Sequence, residues 1–359
     1  MTAQRMTAQD LIRTLPERSA THTDDPNILF EGFVQLDITG PSGCTVYVGF
    51  NGERALSVRT RSDVPPVSRI LLKDRDFVNL CYGEGEPYSM IERGEIIIQG
   101  EIEPITRLQW LLATASDPDI VQEFERLEKE WEHRSLQTVT RLVAKAGEAF
   151  DLRAAAADNV PFIRENIFAD WAANTWSLDT MSERFGEIAI IHKTTQISLS
   201  EYISQIRRGI IANRGPFTVP QPIFDAMGFP SFLDPALCNG RPELYLTARG
   251  GVTAAHRDVV DGVLVNIFGV RRFKLFSPDQ TRFLYPHANF NSYQLARVDP
   301  ARPDLLAWPL YASARPLEVA VGPGEMLFVP MGWFHHVTVE EDSFAMRFNL
   351  KWGIGHQLS

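Results

Sequence analysis

The sequence predicts an α+β protein that is mostly β in its second half. Near the N-terminus, alternating runs at 30–39 and 44–50 surround a Gly/Pro turn, which indicates a hairpin. A stretch rich in Glu, Lys and Leu at 117–151 indicates connecting helices. After about residue 160, short apolar runs bounded by turn glycines return, and two of them lead into histidines. The length of 359 residues is consistent with two domains or one large one.

The first part of the chain is predicted to combine one sheet with short helices. A helix is expected at 7–15 and another, with an acidic cap, at 74–82. The other predicted elements are strands at 30–39, 44–50, 55–61, 68–72 and 90–101 and a helix at 106–115. This order resembles the sterol-carrier-protein-2 (SCP2) fold over about residues 10–115. The resemblance implies a domain that binds an apolar ligand, or one that packs, dimerises or presents a substrate.

The middle and second half are predicted as helices followed by a β-rich region. In 117–151 the apolar residues recur near helical spacing, so one or two helices with a solvated charged face are expected. Further predicted elements are helices at 178–185 and in the Ser-capped segment 198–209, strands at 188–192 and 343–352, and a loop at 290–311. The segments 215–222 and 243–248 lead into the strands that follow.

Three residues of the second half form a candidate metal site. In an extended strand, His256 and Asp258 point to one face while Arg257 points to the other. An imidazole and a carboxylate side by side are two ligands of the 2-His-1-carboxylate triad, which binds Fe(II) and leaves positions open. A third ligand is available in the pair His335–His336, of which only one residue can face the metal.

The segments that carry these histidines resemble the two cupin motifs, and together with Thr253 and Arg271 they resemble the JmjC/cupin-like oxygenases, particularly the asparaginyl hydroxylase (factor inhibiting HIF) branch. The motifs are Gly250-(five residues)-His256-x-Asp258 and Gly324-(five residues)-Pro330-x-Gly332-x-x-His335. The resemblance covers about residues 160–352 and selects His335 as the third ligand. It implies a double-stranded β-helix, or jelly roll, that uses Fe(II), 2-oxoglutarate and O2. The expected domains are an SCP2-like domain at 1–115, a helical connector at 116–156 and the oxygenase domain at 157–359.

The resemblance also implies residues for the cosubstrate. Arg271 stands where related hydroxylases carry a lysine, and we expect its guanidinium to pair with the distal carboxylate of 2-oxoglutarate. Arg347, on the last predicted strand, is the second choice. Thr253 and Asn349 match a threonine and an asparagine near the cosubstrate in the family. A family tyrosine is replaced, in this comparison, by Phe217, which cannot donate a hydrogen bond.

Composition narrows the class of function. The net charge of −10 argues against a nucleic-acid groove as the main binding surface. Three widely spaced cysteines form no disulfide or zinc pattern, and the N-terminus has no apolar run of signal-peptide or membrane-span length. These features favour a cytoplasmic protein.

The expected activity is hydroxylation of an amino-acid side chain, in a peptide or protein or in a free amino acid. The alternatives are a non-catalytic metal-binding cupin or small-ligand-binding protein, a JmjC-type demethylase and a zinc-dependent isomerase. Asp258 argues against the isomerase, because that class is expected to use more histidines.

Overall fold

A computed structural model describes most of the chain. The described residues are 5–21, 32–50, 56–82, 90–91, 94–100, 108, 118–143, 150–167, 171–192, 195–209, 217–239, 242–287, 290 and 293–351. The chain divides into two compact units. The first consists of Met1–Ser116, Ile191–Gln196 and Ala288–Asn291, and the second of Asp117–Ile190, Ile197–His287 and Ser292–Ser359.

The first unit contains a five-stranded sheet with the strand order β3-β2-β1-β4-β5. Its described elements are α1 (Ala8–Thr21), β1 (Gly32–Thr39), β2 (Cys44–Phe50), β3 (Leu56–Arg59), β4 (Ser68–Lys73), α2 (Asp74–Cys81) and β5 (Ile96–Gly100). Strands β1 and β4 run parallel, and the other neighbours run antiparallel. Leu11 of α1 and Phe77 of α2 pack against the apolar side of this sheet, with Val34 and Ile70 among their neighbours in the core.

The second unit is built around two sheets. Its helices are α3 (Pro118–Trp131), α4 (Leu152–Ala156), α5 (Leu178–Phe185), α6 (Leu199–Arg207), α7 (Gln221–Met227) and α8 (Thr281–Leu284). The strands after β5 are β6 (Thr140–Val143), β7 (Phe162–Glu165), β8 (Ala189–His192), β9 (Thr195–Ser198), β10 (Phe217–Thr218), β11 (Glu243–Thr247), β12 (Val252–Asp258), β13 (Gly262–Phe268), β14 (Arg271–Phe276), β15 (Tyr293–Leu295), β16 (Leu317–Val321), β17 (Glu325–Val329), β18 (Phe334–Val339) and β19 (Ser343–Asn349).

These strands form a major sheet, a minor sheet and a separate pair. The major sheet has the order β10-β11-β19-β13-β17-β7-β6, and the minor sheet has the order β15-β12-β18-β14-β16. Strands β8 and β9 pair only with each other among the described residues. Both larger sheets are antiparallel apart from the β6–β7 pair. Two packed, mainly antiparallel sheets fit the expected jelly roll.

The central strand β13 of the major sheet is buried on both faces, which explains its apolar sequence. In β13, Val263 and Val265 belong to one core cluster, which also includes Ile203 of α6 and Ile223 of α7. Leu264, one position along, belongs to a second cluster together with residues of the minor sheet. A strand covered by helices on one face and by a sheet on the other needs apolar residues at successive positions.

An apolar core lies between the two sheets. Its apolar part combines Leu264 and Leu327 of the major sheet with Phe273 and Val337 of the minor sheet. Trp131 of α3 adds to this cluster and meets Trp333 edge to face, with ring centroids 4.8 Å apart. Helix α3 therefore belongs to the core of the second unit.

Three predicted elements require correction. The strand expected at 90–101 begins at Ile96, and Met90 and Ile91 are helical. Among the described residues of 117–151, helix α3 is followed by strand β6, which was not predicted. The loop expected at 290–311 contains β15, which pairs with β12. In the last two cases tertiary strand pairing decides the conformation, and local propensity does not reveal it.

Other predicted elements agree with the structure or lie partly outside it. Helices α5 and α6 begin after Ser177 and Ser198, whose side chains accept hydrogen bonds from the backbone N–H groups of Thr180 and Glu201. Of the helix expected at 106–115, only Leu108 is described, and it is helical. Within the described residues, no helix is long and apolar enough to cross a membrane.

Candidate functional site

Strands β12 and β18 bring His256, Asp258 and His335 together. The two strands are adjacent and antiparallel in the minor sheet, with His256 opposite His335. Nε2 of His256 lies 3.8 Å from Oδ1 of Asp258, and Nε2 of His335 lies 3.5 Å from Oδ2. One ligand atom from each residue lies within 4.8 Å of the other two. Two imidazoles and a carboxylate at these distances form a donor set of the facial-triad type.

A β-bulge adds Thr253 to the same face. Between Thr253 and His256 the register advances three residues on β12, while it advances two on β18. In a regular strand, residues three positions apart point to opposite faces. The extra residue of the bulge resets this alternation, so Thr253 lines the same cavity as His256 and Asp258.

The backbone orients both histidines. Nδ1 of His256 lies 2.7 Å from the carbonyl oxygen of Ala254, and Nδ1 of His335 lies 3.3 Å from that of Trp333. A carbonyl accepts a hydrogen bond, so it favours the tautomer with the proton on Nδ1 and the lone pair on Nε2. The two Nε2 atoms are the ones that converge near Asp258.

Burial and nearby charges shift the pKa values of His335 and Asp258. Burial, with a further contribution from His256, lowers the pKa of His335 to about 3, so this imidazole is neutral at physiological pH. Burial opposes ionisation of Asp258, but Arg347 and the two histidines outweigh it and hold the pKa of the carboxyl below its usual value. Neutral imidazole and ionised carboxylate are the forms that bind a metal ion.

His336 lies on the opposite face of the minor sheet. Its Nε2 is 3.7 Å from Oδ1 of Asp299, and on the neighbouring strand it stands opposite Lys274. His336 is buried and is not among the residues that line the cavity. The structure therefore groups His335, and not His336, with His256 and Asp258.

The cavity is lined by residues of both sheets. The polar lining residues are Tyr245, Thr253, His256, Asp258, Arg271, His335 and Arg347. The apolar ones, together with one glycine, are Gly262, Leu264, Phe273, Val329 and Val337. A pocket that combines convergent polar groups with apolar walls is typical of small-molecule sites.

Arg271 reaches this cavity from β14 without a carboxylate partner among the described residues. Its Nη2 donates to the carbonyl oxygen of Tyr245 at 2.8 Å and to Oγ1 of Thr247 at 3.4 Å. Its Nε is buried and has no hydrogen-bond partner in the described part of the chain. Burial lowers the pKa of Arg271 to about 10, so it remains charged at neutral pH. A buried cation with an unused donor is suited to bind an anion.

Arg347 reaches the cavity from β19 and is already paired. Its Nη2 lies 2.7 Å from Oδ2 of Asp258. Burial opposes the charged form of Arg347, but Asp258, Tyr245 and Glu243 outweigh it and raise the pKa of the guanidinium. Of the two predicted cosubstrate arginines, Arg271 is therefore the one without a carboxylate partner.

One of the predicted cosubstrate residues, Asn349, is not among the residues that line this cavity. Its Nδ2 lies 3.3 Å from Oε1 of Glu243. The side chain of Phe217 lies outside the described residues. Sequence reasoning missed Tyr245, which lines the cavity and donates a hydrogen bond to Oε2 of Glu243 at 3.1 Å. The alternation of polar Glu243, Tyr245 and Thr247 with two leucines was the available signal.

The reverse face of β12 is fixed by Arg257. This side chain donates to Oε1 of Gln294 at 2.6 Å and to Oε1 of Glu128 at 2.9 Å. Its guanidinium also lies 3.8 Å from the centroid of the Phe124 ring. Burial lowers the pKa of Arg257 to about 10. Helix α3 and strand β15 thus hold the strand that carries His256 and Asp258.

Comparison with known proteins agrees with this architecture. Residues 235–352 match the family described as Cupin-like domain. These residues form a cupin-like domain. The matched range includes β12 and β18, which carry His256, Asp258 and His335. It also includes β14 and β19, which carry Arg271 and Arg347.

Its relatives include JmjC proteins. This chain is 36% identical to tRNA wybutosine-synthesizing protein 5 of Homo sapiens over 97 residues, which are 27% of this chain and 29% of that protein. Identity to Jumonji C domain-containing protein 5 of Drosophila melanogaster is 34% over 104 residues, which are 29% of this chain and 26% of that protein. Identity to the bifunctional peptidase and (3S)-lysyl hydroxylase JMJD7 of Homo sapiens is 30% over 125 residues, and the match covers 29% of this chain and 39% of that protein.

The matched segments span well under half the length of each of these relatives. The prediction of a cupin-like JmjC domain is thereby confirmed at the level of the domain. The narrower asparaginyl-hydroxylase branch and the SCP2-like domain stay predictions.

Proposed function

We propose that this protein is an Fe(II)- and 2-oxoglutarate-dependent oxygenase that hydroxylates an amino-acid side chain. The observation that carries the proposal is the arrangement of one cavity: His256, Asp258 and His335 converge on one side, and the buried cation Arg271 lines the same space. A metal site alone would fit many cupins. The additional cation matches a cosubstrate that is both a metal ligand and a carboxylate.

The residues present fit a ferrous ion. The carboxylate is ionised and the buried imidazole of His335 is neutral. Both Nε2 atoms converge because the two Nδ1 atoms lie next to backbone carbonyl oxygens. We therefore assign His256, Asp258 and His335 as the iron ligands. Three protein ligands leave three of six octahedral positions for the cosubstrate and O2.

Arg271 is assigned to the distal carboxylate of 2-oxoglutarate. Its unused Nε and its charge support a charge-assisted contact, and Thr253 adds a hydroxyl to the lining of the same cavity. When bound, Fe(II) with 2-oxoglutarate and O2 supplies the oxidising chemistry that replaces a substrate hydrogen by hydroxyl. The contribution of the protein is to orient the cosubstrate and to exclude water with apolar residues such as Phe273 and Val337.

The proposed substrate is a peptide or protein side chain or a free amino acid. The relative JMJD7 is named as a (3S)-lysyl hydroxylase, and this supports an amino-acid side chain as the substrate. We keep the proposal that the region before residue 116 is an SCP2-like module that presents substrate, dimerises or binds an apolar ligand. We also keep the proposal of a cytoplasmic protein.

The test is cosubstrate turnover by the full-length protein. Purified apoprotein is supplied with Fe(II), ascorbate and 2-oxoglutarate, and succinate is measured by NMR. The proposal predicts succinate only with iron, and none with His335→Ala. A non-catalytic cupin would bind metal and form no succinate above the level of that variant.

The substrate class is tested by mass spectrometry of the same reaction. Candidate peptides, free amino acids and bulk tRNA are incubated separately, and a gain of one oxygen atom is sought in each. The proposal predicts the gain in a peptide or an amino acid. A gain in tRNA alone would contradict the proposed substrate class, and loss of a methyl group from a peptide would instead indicate a demethylase.

A further inference from the structure

Arg347 holds one oxygen of the carboxylate that we assign as a metal ligand. Its Nη2 lies 2.7 Å from Oδ2 of Asp258. The other oxygen, Oδ1, lies 3.8 Å from Nε2 of His256, while Oδ2 lies 3.5 Å from Nε2 of His335, so both oxygens are near the proposed metal position. A carboxylate can bind a metal ion through one oxygen or through both. An ion pair between a guanidinium and one oxygen favours binding through the other oxygen.

The fold is arranged to keep the Arg347 guanidinium in this place. Gly262, on the neighbouring strand β13, lies against it: a Cβ at this position would be 3.1 Å from Nε and 3.3 Å from Nη2 of Arg347. The Nη2 atom concerned is the one that bonds to Asp258. Glycine at 262 is therefore what leaves room for the guanidinium beside the carboxylate.

Polar residues of β11 lie beside Arg347. Glu243 stands opposite Arg347 in the major sheet, and Tyr245 lines the same cavity as Arg347 and donates its hydroxyl to Glu243. Glu243 also accepts from Asn349. A partly buried chain of polar groups that includes a carboxylate restrains its members, since loss of one partner leaves another unsatisfied.

We propose that Arg347 is a positioning residue that restricts Asp258 to one-oxygen metal ligation. The inference rests on the proposed function, because it takes Asp258 as a metal ligand. Its consequence is the number of coordination positions on the metal ion that remain open. With one oxygen from Asp258, three positions remain for the two donor atoms of the cosubstrate and for O2. If both oxygens of Asp258 bound, only two positions would remain.

Arg271 provides the matched control. It is a second buried guanidinium in the same cavity, but it bonds to Tyr245 and Thr247 and not to Asp258. Arg271→Met removes the same charge from the same cavity as Arg347→Met does. Only Arg347→Met removes the contact with Oδ2 of Asp258.

The experiment counts the water molecules on bound Mn(II). Mn(II) is added to the full-length apoprotein without any cosubstrate, and the relaxation rate of the water protons gives the number of exchanging coordinated waters. We expect three waters for the wild type and for Arg271→Met. For Arg347→Met we expect two, a decrease of about one third, because the released oxygen of Asp258 takes one position. Gly262→Ala, which presses on Nη2, is expected to lower the count in the same direction.

The outcomes separate this inference from the proposed function. If the wild type does not bind Mn(II), the metal site fails and the inference fails with it. If Mn(II) binds and the hydration of both Arg347→Met and Gly262→Ala equals that of the wild type, only the inference is overturned. An equal decrease in Arg271→Met would also overturn it, since cavity charge would then be the cause. If Arg347→Met does not fold, Gly262→Ala decides alone.

Discussion

The two faces of the minor sheet carry similar residues with different environments. Strand β18 has His335 on the cavity face and His336 on the other, and strand β14 likewise has Arg271 and Arg272. On the cavity face, Arg271 is 2% exposed and has an unused Nε. On the other face, Arg272 pairs with Glu340 at 2.7 Å, and both side chains are about two-fifths exposed. Strand alternation therefore places chemically equivalent side chains, one position apart, in different roles.

The largest difference is expected between the two histidines. His335→Ala should weaken Mn(II) binding about 100-fold or more, since even residues behind a metal ligand typically affect affinity 10–100-fold. His336→Ala should change the affinity less than about threefold, because Nε2 of His336 faces Asp299. Titration calorimetry of the dialysed apoprotein measures both. The interpretation is wrong if His336→Ala abolishes binding and His335→Ala does not.

The next difference is expected between the two arginines. Arg271→Ala should raise the KM for 2-oxoglutarate at least about tenfold, because loss of a charge-assisted hydrogen bond costs about 1.5–3 kcal/mol. Arg272→Ala should leave the KM within about twofold, because it bonds to Glu340 on the outer face. Initial rates of succinate formation give both constants. A large effect of Arg347→Ala with none for Arg271→Ala would move the cosubstrate anchor to β19.

Much of the site was predictable because alternation and turn chemistry are local. The spacing in His256-x-Asp258 gives two side chains on one face, and the turn glycine Gly332, with a φ of +84°, precedes the strand that carries His335. A glycine is favoured there because other residues rarely adopt positive φ.

What the sequence did not reveal depends on long-range pairing. The bulge before His256 brings Thr253 to the cavity face, and it exists only in the pairing with β18. The pairing of Arg347 with Asp258 joins residues 89 positions apart, on strands of different sheets. Strand β6 was missed for the same reason, since its four exposed residues are fixed by β7.

A third contrast lies within β12 itself. Arg257→Met should lower the free energy of unfolding by about 2–3 kcal/mol, because it removes buried hydrogen bonds to a charged group and the contact with Phe124. Glu128 is one-third exposed, so water offsets part of the cost of leaving it unpaired. Mn(II) affinity should change less than about threefold. Urea unfolding and calorimetry measure the two quantities.

His256→Ala supplies the opposite pattern for this strand. It should remove most of the Mn(II) affinity while lowering the free energy of unfolding of the apoprotein by less than about 1 kcal/mol. If Arg257→Met and His256→Ala reduce stability and metal affinity to the same extent, the two faces of β12 do not have separate roles.

The smallest effect is expected for the exposed pair of Arg272 and Glu340. Glu340→Gln should lower the free energy of unfolding by less than about 1 kcal/mol, because both side chains are solvated and a surface ion pair contributes little. The effect should decrease further at high salt. A decrease of more than about 2 kcal/mol in the free energy of unfolding, measured with urea, would contradict the interpretation of this ion pair as a solvated surface contact.

The most direct test is whether 2-oxoglutarate binding depends on the metal. 2-Oxoglutarate is titrated calorimetrically into the full-length protein with and without Mn(II), under conditions where no turnover occurs. We predict binding at least about tenfold tighter with Mn(II) for the wild type and for His336→Ala, and no such gain for His335→Ala, because the cosubstrate uses positions on the metal. Equal binding with and without Mn(II) would contradict the assignment of this cavity as the site where metal and cosubstrate meet.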